Sequence, residues 1–240
     1  MKARFIFAIV IGALVSGLAP MARSDPGLPK DFPLRKGDYW IYKADVKYLV
    51  PRPDTAVTGM NDPKEETVTF KMEVLDTVSG KGFFAALVKG FPFDCGWYDP
   101  VNPRRLHVIV TLENGACYDV GPDDEEKVWR AAARDHKIPA GLLDEVLVRF
   151  PIKADKDTNA RYRWVTEDLG AFADTSIKGL GVTRNLHQFQ ITDHASPENM
   201  EFDFVPGVGI VGYMYHHHGT LADCDMGLIE IGHQGPPAKF

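Results

Sequence analysis

The strongest constraint on how this chain can fold is an alternation that runs unbroken from Thr67 to Val74. Val68, Phe70, Met72 and Val74 fall on one side, and Thr67, Thr69, Lys71 and Glu73 on the other. Successive side chains of a strand point to opposite faces, so this pattern predicts a half-buried strand with Phe70 inside. The same period recurs at Trp40, Tyr42, Ala44, Val46 and Tyr48, where Lys43, Asp45 and Lys47 hold the polar face and Ile41 interrupts it. It returns at Leu106, Val108, Val110 and Leu112, and again at Met200, Phe202 and Phe204. Phe83–Val88 is apolar on both faces and reads as a central strand. Strands that follow one another without intervening helices pair antiparallel, and a sheet of nine to eleven of them curls or closes. The fold class predicted is mainly β: a single curved antiparallel sheet, half-barrel or sandwich-like, with one short helical insertion.

Turn chemistry divides the strands. Asn114-Gly115 between two β patterns predicts a hairpin, because both residues tolerate positive φ. Pro206-Gly207 suits a type II turn. The helical insertion opens at Pro122 and the acids Asp123 to Glu126, where the helix dipole favours negative charge, and Pro139 should stop it. Residues 142–150 fit either a helical turn (Leu142, Leu143, Val146, Leu147) or a strand over Val146–Phe150. Later strands are expected around Tyr162 and Trp164, over Val182–Thr192 with an irregular phase, over Val208–His216 and over Gly227–Ile231. No shift of composition splits the chain, so residues 25–240 read as one β-rich domain.

Residues 1–24 read as a secretory signal peptide. Lys2 and Arg4 precede an apolar run of about 14 residues, Phe5–Leu18, and Ala22 and Ser24 suit a cut before Asp25. That run is shorter than the roughly 20 residues a membrane span needs, and no later stretch is apolar enough, so no membrane span is expected in the mature chain. The expected location is secreted or periplasmic. Without Lys2, Arg4 and Arg23, 24 basic residues face 33 acidic ones. A surface of that sign repels phosphate backbones, which argues against nucleic acid as a partner.

Three cysteines remain, and in an oxidising compartment a pair is expected to bond. Cys95 and Cys117 flank one short strand region and are the predicted disulfide; a loop of some 20 residues would contribute roughly 3 kcal/mol. The other two pairings stay open. His216-His217-His218 is the most unusual run. On a strand His216 and His218 share a face, and a turn at Gly219-Thr220 would return Asp223 and Asp225 beside them. These four residues are the candidate metal ligands, with zinc or copper as the ion. A polar strand end facing water explains the same residues without a metal.

No catalytic residues can be named. Ser79, Ser176 and Ser196 are the only serines after the leader, and none sits in a nucleophile elbow. Gly207-Val-Gly209-Ile-Val-Gly212 matches a dinucleotide-binding spacing but runs into an aromatic β pattern instead of a helix, so it reads as a hairpin. Tyr39, Trp40, Tyr42, Tyr48, Trp164, Tyr213 and Tyr215 could line a cavity within a curved sheet or simply pack its core.

Two segments carry a family resemblance. Gly37-Asp-Tyr-Trp40-Ile-Tyr42 and Pro206-Gly-Val-Gly209 resemble the opening strand and C-terminal hairpin of exported bacterial proteins of unknown function. Some of these resemble the curved half-barrel of periplasmic lipoprotein carriers. The resemblance implies no functional residue. Together these features favour a non-enzymatic binding or interaction protein, with a small apolar ligand or an envelope protein as partner. A metal-binding protein or metal-dependent enzyme built on His216 and His218 is the alternative.

Overall fold

The computed structural model describes residues 29–51, 61–143, 146–154, 164–172, 176–181, 186–193, 198–217 and 222–235. The leader expected at 1–24 lies outside them. Among the described residues, eleven strands form one antiparallel sheet. In chain order they are β1 (Asp38–Pro51), β2 (Asn61–Gly80), β3 (Phe83–Lys89), β4 (Leu106–Leu112), β5 (Ala116–Val120), β6 (Val146–Arg149), β7 (Trp164–Ala171), β8 (His187–Asp193), β9 (Glu198–Val205), β10 (Gly209–His217) and β11 (Asp223–His233). Their spatial order is β6-β5-β4-β3-β2-β1-β11-β10-β9-β8-β7, so the last strand slots between the first and the tenth. The sheet curls into a half-barrel that brings its edge strand β6 back over its other half: the Phe150 ring, just beyond β6, lies 5.6 Å from that of Phe204 on β9.

The curl has local causes. Five pairings carry an extra residue, at Ile229, Val211, Leu75, Leu147 and Leu169. Each bulge bends its strand and adds twist. Bulges also reset the alternation, which is why Ile210 and Val211 are both buried. Pro63 sits inside β2, where the strand pairs only with β1; β3 joins it from Glu73 onward, so the missing N–H disrupts no ladder.

The inner face carries the main core. Tyr42, Phe70, Met72, Ile109, Phe202, Phe204 and Ile210 are almost wholly buried, together with Phe32 and Leu34 from the entry segment and Phe91 from the loop after β3. Helix α1 (Glu125–Asp135) covers the outer face of β2, β3 and β4. Its Val128 and Ala132 form a second core with Phe83, Ala85, Val108, Val110 and Val120. This explains why β3 is apolar on both sides. It also corrects one reading: the alternation at Val108 and Val110 marks the face under the helix, while His107, Ile109 and Thr111 point inward with Phe84, Ala86 and Val88. α1 ends at His136 in the left-handed region, before Pro139 is reached. Residues 146–149 are strand, and a 3-10 turn, Ala140–Leu142, replaces the helical alternative.

Both expected turns form. Asn114-Gly115 joins β4 to β5, but through a three-residue loop in which only Gly115 has positive φ (83°). A Cβ there would lie 2.0 Å from the Phe150 carbonyl oxygen, so the position requires glycine twice over. Pro206-Gly207 turns with φ 84° at Gly207 and a 2.9 Å bond from the Val208 N–H to the Val205 carbonyl. The glycine-rich segment thus continues as β10, without the helix that a pyrophosphate would need. The two segments of the family resemblance touch: the Trp40 indole donates to the Val208 carbonyl at 2.8 Å, and the Tyr42 hydroxyl to the Ile210 carbonyl at 2.9 Å. No helix among the described residues is long and apolar enough to cross a membrane.

Candidate functional site

Where the described aromatic residues lie, their side chains occupy the inner face. Trp40, Tyr42, Tyr48, Tyr213 and Tyr215 are buried in the main core, and Tyr39 faces outward, bonded to Glu230 at 2.9 Å. These rings fill the half-barrel rather than line a cavity. The open surface is elsewhere. Strands β2, β1, β11 and β10 bear a groove of about 800 Å³.

Alternation decides what lines this groove. With Val46, Tyr215 and Cys224 turned inward, their neighbours Asp45, Lys47, His216, Asp223 and Asp225 turn out. Glu65 and Thr67 of β2 and the exposed Met214 of β10 complete the hollow. Lys47 pairs with Glu65 at 2.9 Å, and His216 Nδ1 pairs with Asp223 across β10 and β11. Asp45 and Asp225 stand directly opposite each other across β1 and β11. Like charges in that position are destabilising.

Of the metal ligands expected from sequence, His216 and Asp223 are brought into contact and Asp225 sits two residues along the same face. His218 lies outside the described residues. Among the described residues, no three His, Cys, Asp or Glu side chains converge on a point that could hold an ion.

Sequence reasoning missed a second polar cluster, inside the half-barrel. After β3 the chain makes a 3-10 turn, Pro92–Cys95, which places Asp94 almost wholly buried against β4. His107, also buried, lies between two carboxylates: its Nδ1 is 2.8 Å from Asp119 and its Nε2 3.1 Å from Asp94. Arg105 donates to Asp94 through both its side-chain Nε, at 2.7 Å, and its backbone N–H, at 2.9 Å. Burial disfavours the imidazolium, but Asp119 first and then Asp94 outweigh it and hold the His107 pKa at about 10. Burial likewise opposes the Asp94 charge, yet His107 and Arg105 keep its carboxyl below the usual range. Two positive and two negative groups balance there. With His107 and Asp94 this deeply enclosed, the cluster fastens the 92–105 loop to the sheet. The signal was present in sequence as charged residues breaking apolar runs at Asp94 and His107.

The three cysteines, Cys95, Cys117 and Cys224, lie on separate elements. All three are buried thiols. Cys117, on β5, is placed against Thr111, and burial pushes its thiol up to about 12. Cys95, at the end of the 3-10 turn, meets Cys224 of β11, not Cys117. The structure therefore brings together a pair the sequence left open, and sets the expected partner Cys117 apart on another strand.

No protein-family model and no curated protein matches the chain. Two solved structures are similar. One, of an inferred exported protein with a YmcC-like fold from Bacteroides fragilis NCTC 9343, is 9% identical, with a TM-score of 0.41, covering 84% of this chain and 98% of its own. The other, of an inferred lipoprotein from Parabacteroides distasonis ATCC 8503, is 12% identical, with a TM-score of 0.38, covering 86% of this chain and 100% of its own.

Proposed function

We propose that this chain is an exported, non-enzymatic binding protein, and that its partner is a cationic segment of another envelope protein seated in the groove over β2, β1, β11 and β10. The leader-like residues 1–24 support export. The observation that carries the binding reading is the opposed pair Asp45 and Asp225 in the groove lining. Holding two carboxylates face to face lowers stability unless positive charge is supplied, and a lysine or arginine from a partner supplies it. The filled interior speaks against a small apolar ligand on the concave face.

Titration of the mature protein with a lysine-rich octapeptide, followed by calorimetry, tests this. Binding should weaken as salt is raised and should fall about tenfold, or about 1.4 kcal/mol, in Asp225→Asn. Heat changes no larger than those of a glutamate-rich octapeptide would sink the proposal. The rival reading, zinc or copper on His216, His218, Asp223 and Asp225, predicts one equivalent of metal in the purified protein, lost in His216→Ala.

A further inference from the structure

We infer that Cys95 and Cys224 form a disulfide in the exported protein, with Cys117 left as a thiol. The inference rests on the export reading for its oxidising surroundings and on the fold for its pairing. Two separate constraints converge on the pair. The first is sheet register. Cys224 sits on the inner face of β11, opposite Val46 of β1 on one side and Tyr215 of β10 on the other. The second is the 3-10 turn. Its geometry is closed by bonds from Asp94 N–H to the Phe91 carbonyl at 2.9 Å and from Gly96 N–H to the Phe93 carbonyl at 3.2 Å. Asp94 is in turn locked by Arg105 and His107. The turn presses on β10 so closely that a Cβ on Gly96 would lie 2.7 Å from the Tyr213 hydroxyl and 2.9 Å from the Tyr215 ring.

Cys95, between Asp94 and Gly96, is thereby delivered to the strand pair that carries Cys224, and the two thiols hydrogen-bond. Cys117 has no such neighbour; Thr111 is its partner across β4 and β5. Trp97, half exposed, continues the same contact outward, its ring 5.1 Å from His217. A bridge would staple the whole 92–105 loop across the end of the half-barrel.

The chemistry is thiol–disulfide exchange with an oxidised thiol compound or an oxidised protein disulfide. One cysteine, as thiolate, attacks the oxidant and forms a mixed disulfide, releasing one thiol. The second cysteine, as thiolate, then displaces the other thiol. The S–S bond of the oxidant breaks and that of the protein forms; two electrons and two protons pass from Cys95 and Cys224 to the oxidant. In the folded chain the contact with Cys224, then burial, holds Cys95 in its protonated, unreactive form. The exchange therefore belongs to the folding chain, before the loop closes.

Refolding the full mature chain in a reduced and oxidised glutathione mixture, alkylating, and mapping unreduced peptides gives the direct test. A linked peptide pair containing Cys95 and Cys224, with Cys117 alkylated only after denaturation, is the expected result. Three alkylated cysteines, or a Cys95–Cys117 link, would overturn it. The bridge encloses some 130 residues, so dithiothreitol should lower the Tm of the wild type by about 10 °C. Cys224→Ser should abolish that redox dependence, whereas Cys117→Ser should keep it; a wild-type Tm that ignores dithiothreitol counts against the bridge. N-terminal sequencing of protein made with its leader reads export separately. A retained leader beside a glutathione-formed bridge would refute the compartment and leave the pairing standing.

Discussion

Replacing His107 by alanine should lower the unfolding free energy by about 3–5 kcal/mol, because it leaves Asp94 and Asp119 facing each other without the cation between them. The same network sets a pH dependence whose direction follows from the two shifts. The His107 pKa is raised, so the stability it contributes is complete below the ordinary histidine value near 6.5 and is lost as pH climbs through about 10. The Asp94 pKa is lowered, so its contribution is complete above the ordinary carboxylate range and is lost as pH falls through the depressed value. Stability from this cluster is therefore greatest between the carboxylate range and about pH 6.5, and declines on the alkaline side by an amount of the order of 4 kcal/mol. Urea unfolding at several pH values between 5 and 10 measures it. His107→Ala should flatten the alkaline decline as well as lower the curve. A wild type equally stable at pH 6.5 and pH 10 would show that the imidazole is not held charged. The loop reports the same loss: without His107, Asp94 has fewer anchors, and the 3-10 turn that carries Cys95 should exchange its amide protons faster.

What could be read from sequence, and what could not, divides by the range of the interaction. β1 and β2 were legible because one buried face imposes period two on adjacent residues, and the Asn114-Gly115 loop because Gly115 needs no side-chain partner to adopt its φ. Central burial of β3 was legible too, although the layer covering its second face was not visible until α1 was seen to lie there. The polar network escaped because its members, Asp94, His107 and Asp119, meet only when the loop after β3 folds back over β4 and β5. The approach of Cys224 to Cys95 escaped for a similar reason. Short separation favoured Cys95 with Cys117, but the topology returns β11 to the side of β1 and carries Cys224 to the 3-10 turn. The groove lay between these cases. Asp45 and Asp225 are each recognisable as outer-face residues, yet only the register of two strands from opposite ends of the chain sets them opposite.

Truncating Phe70 tests the inside-out assignment on which the sheet depends. Phe70 is 2% exposed and lies across from Tyr42, whose hydroxyl is bound to the Ile210 carbonyl on the far side of β11. Phe70→Ala removes the ring from a layer that Tyr42 and β10 hold in place, so the surroundings cannot collapse to fill the space. A loss of about 3–5 kcal/mol is expected, made up of the transfer free energy of the ring and the cavity left behind. Its neighbour Thr69 faces solvent from the same strand, and Thr69→Ala should change stability by no more than about 0.5 kcal/mol. Urea midpoints should shift while the slope stays constant, since neither change alters how much surface unfolding exposes. Equal effects at 69 and 70 would mean the strand has no buried side. A larger effect at 69 would place the polar residues of β2 within and turn the groove inside out. The adjacent pair is a sharper probe than either substitution alone, because strand propensity and unfolded-state changes at neighbouring positions are similar and a one-residue difference isolates the face.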